Sequence, residues 1–133
     1  NPSDTARLSQ LTEKTNQFNF NKEAFSIPQL EKFAGEGNLV FGLRVADKFG
    51  DYGLVGLILV EIQGKKAVMR NFLMSCRALG RLIEHDFFNY VTKDLGERGV
   101  EIGEVLFKET AKNIPAKTFF ENLEMGSKKS ISA

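Results

Sequence analysis

A short stretch in the middle of the chain combines a strand, two arginines and a glycine in a pattern that suits phosphate binding. The apolar run that ends at Cys76 is followed at once by Arg77 and Gly80, and a helical pattern begins there. The first N–H groups of a helix lack partners within the helix and attract anions. Gly80 allows a ligand to approach the backbone and the arginines, Arg77 and Arg81, add charge, so the pattern predicts a site for a pyrophosphate or a phosphopantetheine phosphate. The alternative is an ordinary strand-to-helix turn with solvated arginines.

Other residues with reactive side chains have plainer explanations. The lone Cys76 ends an apolar strand with no base nearby in sequence, which favours buried packing over a thioester-forming nucleophile. His85 falls on the polar face of a predicted helix, where a solvated imidazole is the usual state. Asp47 and Asp51 flank Gly50 without the ligand spacing of an EF-hand, so we expect a turn there rather than a metal site.

The first half of the chain predicts two short helices followed by three strands. Apolar spacing between Thr5 and Phe18 indicates the first helix. Pro28 lies in the first turn of a second helix, which begins after Ser26 and ends before Gly35. Tight turns then separate three β-rich segments, Leu39–Ala46, Leu54–Ile62 and Ala67–Cys76. Strands joined in this way form an antiparallel meander.

The second half of the chain alternates helices with a strand. An apolar stripe from Leu82 to Leu95 predicts a helix that Gly99 ends, and Val100–Phe107 follows as a fourth strand, parallel to the third. Pro115–Leu123 is the last predicted helix. We therefore expect an α+β fold with a mixed sheet. The expected division is an N-terminal helical segment over residues 1–36, a core over 37–125 and a flexible tail over 126–133.

The composition of the 133-residue chain excludes several classes of protein. Eighteen Lys and Arg against seventeen Asp and Glu give a net charge of +1, so we expect no bulk attraction to nucleic acid or to an anionic membrane. A single Cys and a single His exclude internal disulfides and multi-Cys or paired-His metal sites, and they fit a reducing, cytoplasmic compartment. The longest apolar run, Gly53–Val60, is far shorter than the ~20 residues of a membrane span. The first residue is Asn rather than Met, which indicates part of a longer protein.

Two motifs resemble those of the GNAT family of acyltransferases. The spacing Arg77-x-x-Gly80-x-Leu82 resembles the pyrophosphate loop of that family, Arg/Gln-x-x-Gly-x-Gly/Ala. The segment Asn113–Leu123 resembles its later helix, Asn-x-x-Ala-x-x-Phe-Tyr-Glu-x-Leu. The predicted strand order is also that of the family. The resemblance implies a GNAT-like (acyl-CoA N-acyltransferase-like) mixed central sheet flanked by helices, and the chain ends before the last two strands of that fold could form.

Four blocks carry a more extensive resemblance that covers almost the whole chain, and they are Gln10–Asn19, Leu43–Gly56, Leu73–Arg81 and Thr110–Asn113. They resemble the C-terminal, GNAT-like region of the FkbH-like proteins. Those proteins usually carry a phosphatase domain of the haloacid-dehalogenase (HAD) superfamily, subclass IIIC, and many load a glyceryl unit onto an acyl-carrier protein. The HAD motif Asp-x-Asp followed by Thr is absent from the sequence, so phosphoryl chemistry cannot belong to this chain.

The resemblance implies thioester handling. In the GNAT fold the pantetheine arm lies beside a strand in sheet-like fashion, and its phosphate meets the loop before the next helix. By resemblance, the residues that bind the phosphopantetheine of an acyl-carrier protein, or CoA, are Leu73, Met74, Ser75, Cys76, Arg77, Ala78, Leu79, Gly80, Arg81, Leu82 and Asn113. Contact with a substrate or with the phosphatase domain is implied for Lys14, Thr15, Asn16, Gln17 and Asn19, and hydrogen bonding at a helix end is the alternative. Glu104 occupies the region where GNAT enzymes often place a base, although a strand carboxylate facing water is equally ordinary.

Three functions remain open on the sequence. The preferred one is binding of a phosphopantetheine thioester during acyl or glyceryl transfer, in polysaccharide or polyketide biosynthesis, without a metal in this chain. The first alternative is a non-catalytic structural module that docks against the HAD phosphatase domain. The second is a stand-alone CoA-dependent N-acyltransferase. It is disfavoured because Phe120 stands where Tyr commonly supplies the hydroxyl acid, and because Leu82 crowds the loop.

Overall fold

The computed structural model describes residues 2–15, 17–75, 83–123 and 129–131. The helices within them are α1 (Pro2–Lys14), α2 (Ile27–Gly35), α3 (Glu84–Glu97) and α4 (Ile114–Glu121). The strands within them are β1 (Phe18–Asn19), β2 (Leu39–Asp47), β3 (Gly50–Gln63), β4 (Lys66–Met74), β5 (Glu101–Lys108) and β6 (Lys129–Ile131). The predicted α+β class and the order of its main elements are confirmed.

All the strands belong to one mixed sheet. Its order is β2-β3-β4-β5-β6, with β2, β3 and β4 antiparallel and β5 parallel to β4, as the helical crossover predicts. β5 pairs only with Lys66–Met69 of β4. Beyond that point β1 pairs with β4, antiparallel, at Leu73 and Met74. One edge of β4 is therefore covered by β3, and the other is shared by β5 and β1.

The first helix both begins and ends earlier than the sequence pattern predicts, since it starts at Pro2 rather than at Thr5. α1 ends at Lys14, whereas the predicted helix extends to Phe18, which instead opens β1. Beyond the helix, Lys22 Nζ donates to the carbonyl oxygens of Glu13 and Thr15 at 2.6 and 2.9 Å. These bonds satisfy carbonyls that a helix end leaves unpaired. Phe18 is apolar at a helical spacing from α1, and as part of β1 it is 2% exposed.

The start of the second helix is as predicted. Ser26 Oγ accepts a hydrogen bond from the Gln29 amide at 3.2 Å, and Gln29 Oε1 accepts one from the Ser26 amide at 2.7 Å. Pro28 stands in the first turn, where its missing N–H costs nothing. This reciprocal capping box fixes the point at which α2 begins.

Apolar side chains fill both faces of the sheet. On the face covered by α1 and α2, the buried layer includes Leu11, Phe25, Leu30, Phe33 and Leu57. On the face covered by α3 and α4, it includes Phe18, Phe20, Phe72, Phe88 and Phe119. The predicted N-terminal segment, residues 1–36, thus contributes to both layers and supplies β1 to the sheet.

The C-terminal stretch differs from the prediction. Residues 126–133 are predicted as a flexible tail, with no strand after the last helix, yet Lys129–Ile131 forms β6 parallel to Leu106–Lys108 of β5. The outer edge of β5 offers backbone hydrogen-bonding groups that β6 satisfies. A three-residue strand is too short to produce a readable alternation in the sequence.

Candidate functional site

The predicted phosphopantetheine-binding stretch is described only in part. Leu73, Met74 and Ser75 belong to the described residues. The remainder of the stretch, which lies outside the described residues, is Cys76, Arg77, Ala78, Leu79, Gly80, Arg81 and Leu82. Asn16 of the predicted substrate or domain contact also lies outside them. The site is therefore described from Ser75 and from the described residues that line the same cavity.

The strand edge that was predicted to receive a pantetheine arm is occupied by the chain itself. Leu73 and Met74 pair with β3 on one edge and with Asn19 and Phe18 of β1 on the other. The side chains of Leu73 and Met74 are fully buried. This edge of Leu73 and Met74 is therefore paired with β1, a segment that the sequence pattern assigns to the end of a helix, and binding of a pantetheine arm here stays a prediction.

A cationic cavity of about 570 Å³ lies beyond the carboxyl ends of the parallel strands β4 and β5. Its polar lining comes from α1 and two residues after it, from the end of β4 and from the turn after β5. It consists of Arg7, Lys14, Thr15, Gln17, Ser75 and Lys112. Among the described residues that line it, three are cationic and none is acidic. A cavity with this charge attracts anions, and phosphate is the common metabolite group of matching charge.

The cations of this cavity are not neutralised by ion pairs within the described part of the chain. Arg7 is held by neutral acceptors, with Nε donating to the Leu54 carbonyl at 3.2 Å and Nη1 donating to Gln10 Oε1 at 2.8 Å. Burial lowers the pKa of the nearby Lys22 ammonium, and the charge of Lys112 lowers it further, whereas Glu13 raises it. The effect of Lys112 on Lys22 shows like charges held close together. A bound anion would relieve this repulsion.

Ser75 lines the cationic cavity directly after the end of β4. Its backbone N–H donates to the Val55 carbonyl at 2.7 Å, which continues the ladder with β3 for one more residue. Its Oγ is buried and has no hydrogen-bond partner among the described residues. A buried hydroxyl that makes no hydrogen bond costs about 1–3 kcal/mol, so Ser75 is a candidate for a further polar contact.

Two of the predicted contact residues are used inside the fold. Asn113 Nδ2 donates to the carbonyls of Asn19 at 3.0 Å and Lys108 at 2.8 Å, and its Oδ1 accepts from the Thr110 amide at 2.8 Å. Asn19 Nδ2 donates to the Thr15 carbonyl at 2.9 Å. Both asparagines are about 1% exposed. Asn113 therefore connects β1 to the end of β5, and Asn19 connects β1 to the residue after α1, while contacts of the two side chains with a ligand or another domain stay predictions.

A second cavity, of about 470 Å³, lies between α3 and α4 and shares Gln17 with the cationic cavity. Its lining includes Phe18, His85 and Phe119, and the rings of His85 and Phe119 are 4.5 Å apart. A third, of about 490 Å³, lies between β2 and α3 and is mainly apolar. The cationic cavity differs from both because it joins the predicted residues Lys14, Thr15, Gln17 and Ser75.

The remaining sequence candidates lie away from the cationic cavity. Glu104 stands in the middle of β5, in register with Val68, whereas the cavity adjoins residues 111 and 112 after that strand. Asp47 and Asp51 accept hydrogen bonds from the amides of Phe49 and Gly53, both at 2.8 Å, which is the behaviour of turn residues. Among the described residues, no group of three or more His, Cys, Asp or Glu side chains could hold a metal ion.

Sequence reasoning missed two cations of the site. Arg7 lies on α1, and its helical spacing marks it only as a polar-face residue. Lys112 belongs to a block that carries the family resemblance, but it was not singled out as a binding residue. Their meeting depends on β1, which carries the chain from α1 to the end of β4. No pattern within either segment of the sequence predicts that the chain comes back from α1 to the end of β4.

Comparison with known proteins identifies the fold. The structure is similar to that of the ribosomal-protein-S18-alanine N-acetyltransferase from Escherichia coli, with a TM-score of 0.59 and 13% sequence identity over 92% of this chain and 70% of that one. The chain therefore has the GNAT-like fold that the sequence motifs predict. No protein-family model matches the sequence, and no curated protein does. The resemblance to FkbH-like proteins remains a prediction.

None of the described helices is long and apolar enough to cross a membrane.

Proposed function

We propose that this chain is the GNAT-like domain of an FkbH-like biosynthetic enzyme, and that it binds the phosphate of a phosphopantetheine thioester during acyl or glyceryl transfer. The thioester is carried by an acyl-carrier protein, with CoA as the second possible carrier. The observation that carries the proposal is the cationic cavity. Three separate blocks of the resemblance, represented by Lys14, Ser75 and Lys112, meet there.

The chemistry of the cavity supports phosphate as the recognised group. A phosphate monoester carries about two negative charges at pH 7 and has oxygens that accept several charge-assisted hydrogen bonds. Arg7 and Lys14 of α1 and Lys112 of the turn after β5 provide matching donors. Ser75 lines the same cavity, and its Oγ, which lacks a partner among the described residues, would serve as a neutral donor. The carboxyl ends of parallel strands are also a usual location for such sites.

The proposal is for binding and orientation, and no chemical step is assigned to a residue of this chain. Phe120 has no hydroxyl, and its ring is stacked on that of Phe107 with the centroids 4.6 Å apart. Glu104 is separated along β5 from the cationic cavity. The described part of the chain therefore offers a place for the phosphate end of a thioester, while the acceptor group would come from a partner domain or protein.

Charge reversal in the cavity tests this proposal. We expect Lys112→Glu to weaken the binding of 4′-phosphopantetheine and of loaded acyl-carrier protein by at least tenfold, because a charge-assisted hydrogen bond contributes about 1.5–3 kcal/mol and about 1.4 kcal/mol is tenfold. Isothermal titration calorimetry measures the affinity. Lys93→Glu, on the exposed face of α3, makes the same change in net charge and is the control. Equal affinities for the two variants, or no binding by the unmodified chain, would refute the proposal.

The structural neighbour favours a second candidate, a CoA-dependent N-acyltransferase, because that neighbour is an N-acetyltransferase. This function predicts release of CoA thiol from acetyl-CoA when a suitable amine or peptide N-terminus is supplied. A coloured thiol reagent measures it. No release across a broad panel of amines would eliminate this candidate and leave the preferred function in place.

The closed edge of β4 favours a third candidate, a non-catalytic module that docks against a HAD phosphatase domain. In this case the exposed Lys14 and Gln17 would form part of the contact. Adding the purified phosphatase domain would then slow hydrogen exchange at these residues, as measured by mass spectrometry. Unchanged exchange around Lys14 and Gln17 would count against docking.

A further inference from the structure

The segment Phe18–Phe20 lies in the position where the GNAT resemblance places a pantetheine arm. We propose that this segment permanently replaces the arm as the strand between the ends of β4 and β5, so that the domain recognises the phosphate end of its ligand and not the arm. The part of this inference that concerns phosphate rests on the proposed function. The part that concerns the closed edge rests on the contacts of β1 alone.

Backbone hydrogen bonds connect the segment to both neighbouring strands. Phe18 and Asn19 are in antiparallel register with Met74 and Leu73 of β4. The Phe20 amide donates to the Phe72 carbonyl at 2.9 Å, and the Phe20 carbonyl accepts from the Lys108 amide of β5 at 2.7 Å. An arm bound in sheet-like fashion would need the same groups of β4. The segment therefore satisfies the backbone that such an arm would use.

The side chains of the segment are part of the core. Phe18 is 2% exposed and Phe20 is 0% exposed. The Phe18 ring lies 5.0 Å from that of Phe72 and 5.6 Å from that of Phe119, and the Phe20 ring lies 5.5 Å from that of Phe107, all edge-on. Displacing the segment would expose two large aromatic groups and leave a cavity between β4 and β5.

Side-chain amides anchor the segment at both ends. At its start, Asn19 Nδ2 of the segment donates to the carbonyl of Thr15, which precedes the segment. After it, the Asn21 amide donates to Asn71 Oδ1 at 2.9 Å, and Asn21 Nδ2 donates to the Arg70 carbonyl at 3.2 Å. With Asn113 bonded to the Asn19 carbonyl, the segment is held from three directions. These contacts distinguish a structural strand from a lid that a ligand could move aside.

A series of ligands tests the inference by separating the contribution of the phosphate to the affinity from that of the pantetheine arm. The probes are 4′-phosphopantetheine, methyl phosphate and pantetheine, titrated into the full chain by calorimetry. Hydrogen exchange at the Phe20 and Lys108 amides is followed by NMR at the highest ligand concentration. We expect 4′-phosphopantetheine and methyl phosphate to differ in affinity by less than tenfold, and exchange at both amides to stay unchanged with every probe.

Two outcomes would overturn the inference. One is 4′-phosphopantetheine binding more than tenfold tighter than methyl phosphate, and the other is loss of protection at Phe20 and Lys108 when either pantetheine compound is added. Failure of the proposed function looks different, because then neither phosphate compound binds. In that case unchanged exchange at millimolar pantetheine still supports a closed edge. The variant Lys112→Glu should lose affinity for both phosphates while exchange at Phe20 remains as in the unmodified chain.

Discussion

At the scale of single residues, polar groups divide into those that the fold uses and those that it leaves for a ligand. Asn113 uses its amide inside the fold, through three hydrogen bonds around β1 and the end of β5. Ser75 differs, because it lines the cavity and its buried Oγ has no hydrogen-bond partner among the described residues. The two residues therefore predict opposite effects of substitution on stability and on binding.

Asn113→Ala should destabilise the protein strongly. The change leaves the carbonyls of Asn19 and Lys108 without this donor and removes the acceptor of the Thr110 amide, so we expect a loss of about 2–4 kcal/mol in the free energy of unfolding. Urea denaturation followed by circular dichroism measures it. The control is Asn89→Ala on the exposed face of α3, which should change the free energy by less than about 0.5 kcal/mol. A similar small loss for both variants would contradict the role given to Asn113.

Ser75→Ala should separate binding from stability. Removing a buried hydroxyl that has no partner in the described part of the chain should leave the free energy of unfolding unchanged or raise it by up to about 1 kcal/mol. The affinity for 4′-phosphopantetheine should fall several-fold, because one donor to the phosphate is lost. Denaturation and calorimetry on the same preparation provide both quantities. A marked loss of stability with full affinity would mean that Ser75 is a structural residue only.

At the scale of elements, some boundaries could be predicted because their signals are local. The start of α2 is encoded by Ser26, Pro28 and Gln29 within four positions, and the parallel direction of β5 follows from the length of the α3 crossover. β1 could not be predicted, because two residues have no period of their own and Phe18 continues the apolar spacing of α1. The interactions that make it a strand come from residues more than 50 positions away.

The cap of α2 gives the test at this scale. Ser26→Ala removes one half of the capping box and should lower the free energy of unfolding by about 1 kcal/mol. Thr118→Ala serves as the comparison, since its hydroxyl is exposed and bonds only within α4, and it should cost less than about 0.5 kcal/mol. Thermal or urea unfolding measures both. Equal effects would mean that the end of α2 does not depend on its cap.

At the scale of the whole molecule, the position of β1 decides both the core and the site. By bridging the ends of β4 and β5 it closes the edge that the GNAT resemblance leaves for an arm. The same return of the chain places Lys14 and Gln17 beside Ser75 and Lys112. The fold class was predictable from the order of elements and the two motifs. The site was only partly predictable, because its cations meet through contacts between distant segments.

The most direct test of the central claim is the mapping of amide chemical shifts by two-dimensional NMR while 4′-phosphopantetheine is added to the unmodified chain. We expect the largest shifts at Lys14, Gln17, Ser75 and Lys112, with the amides of the β2–α3 cavity unchanged. Shifts concentrated between β2 and α3, or no shifts at saturating ligand, would contradict the assignment of the cationic cavity as the phosphate site.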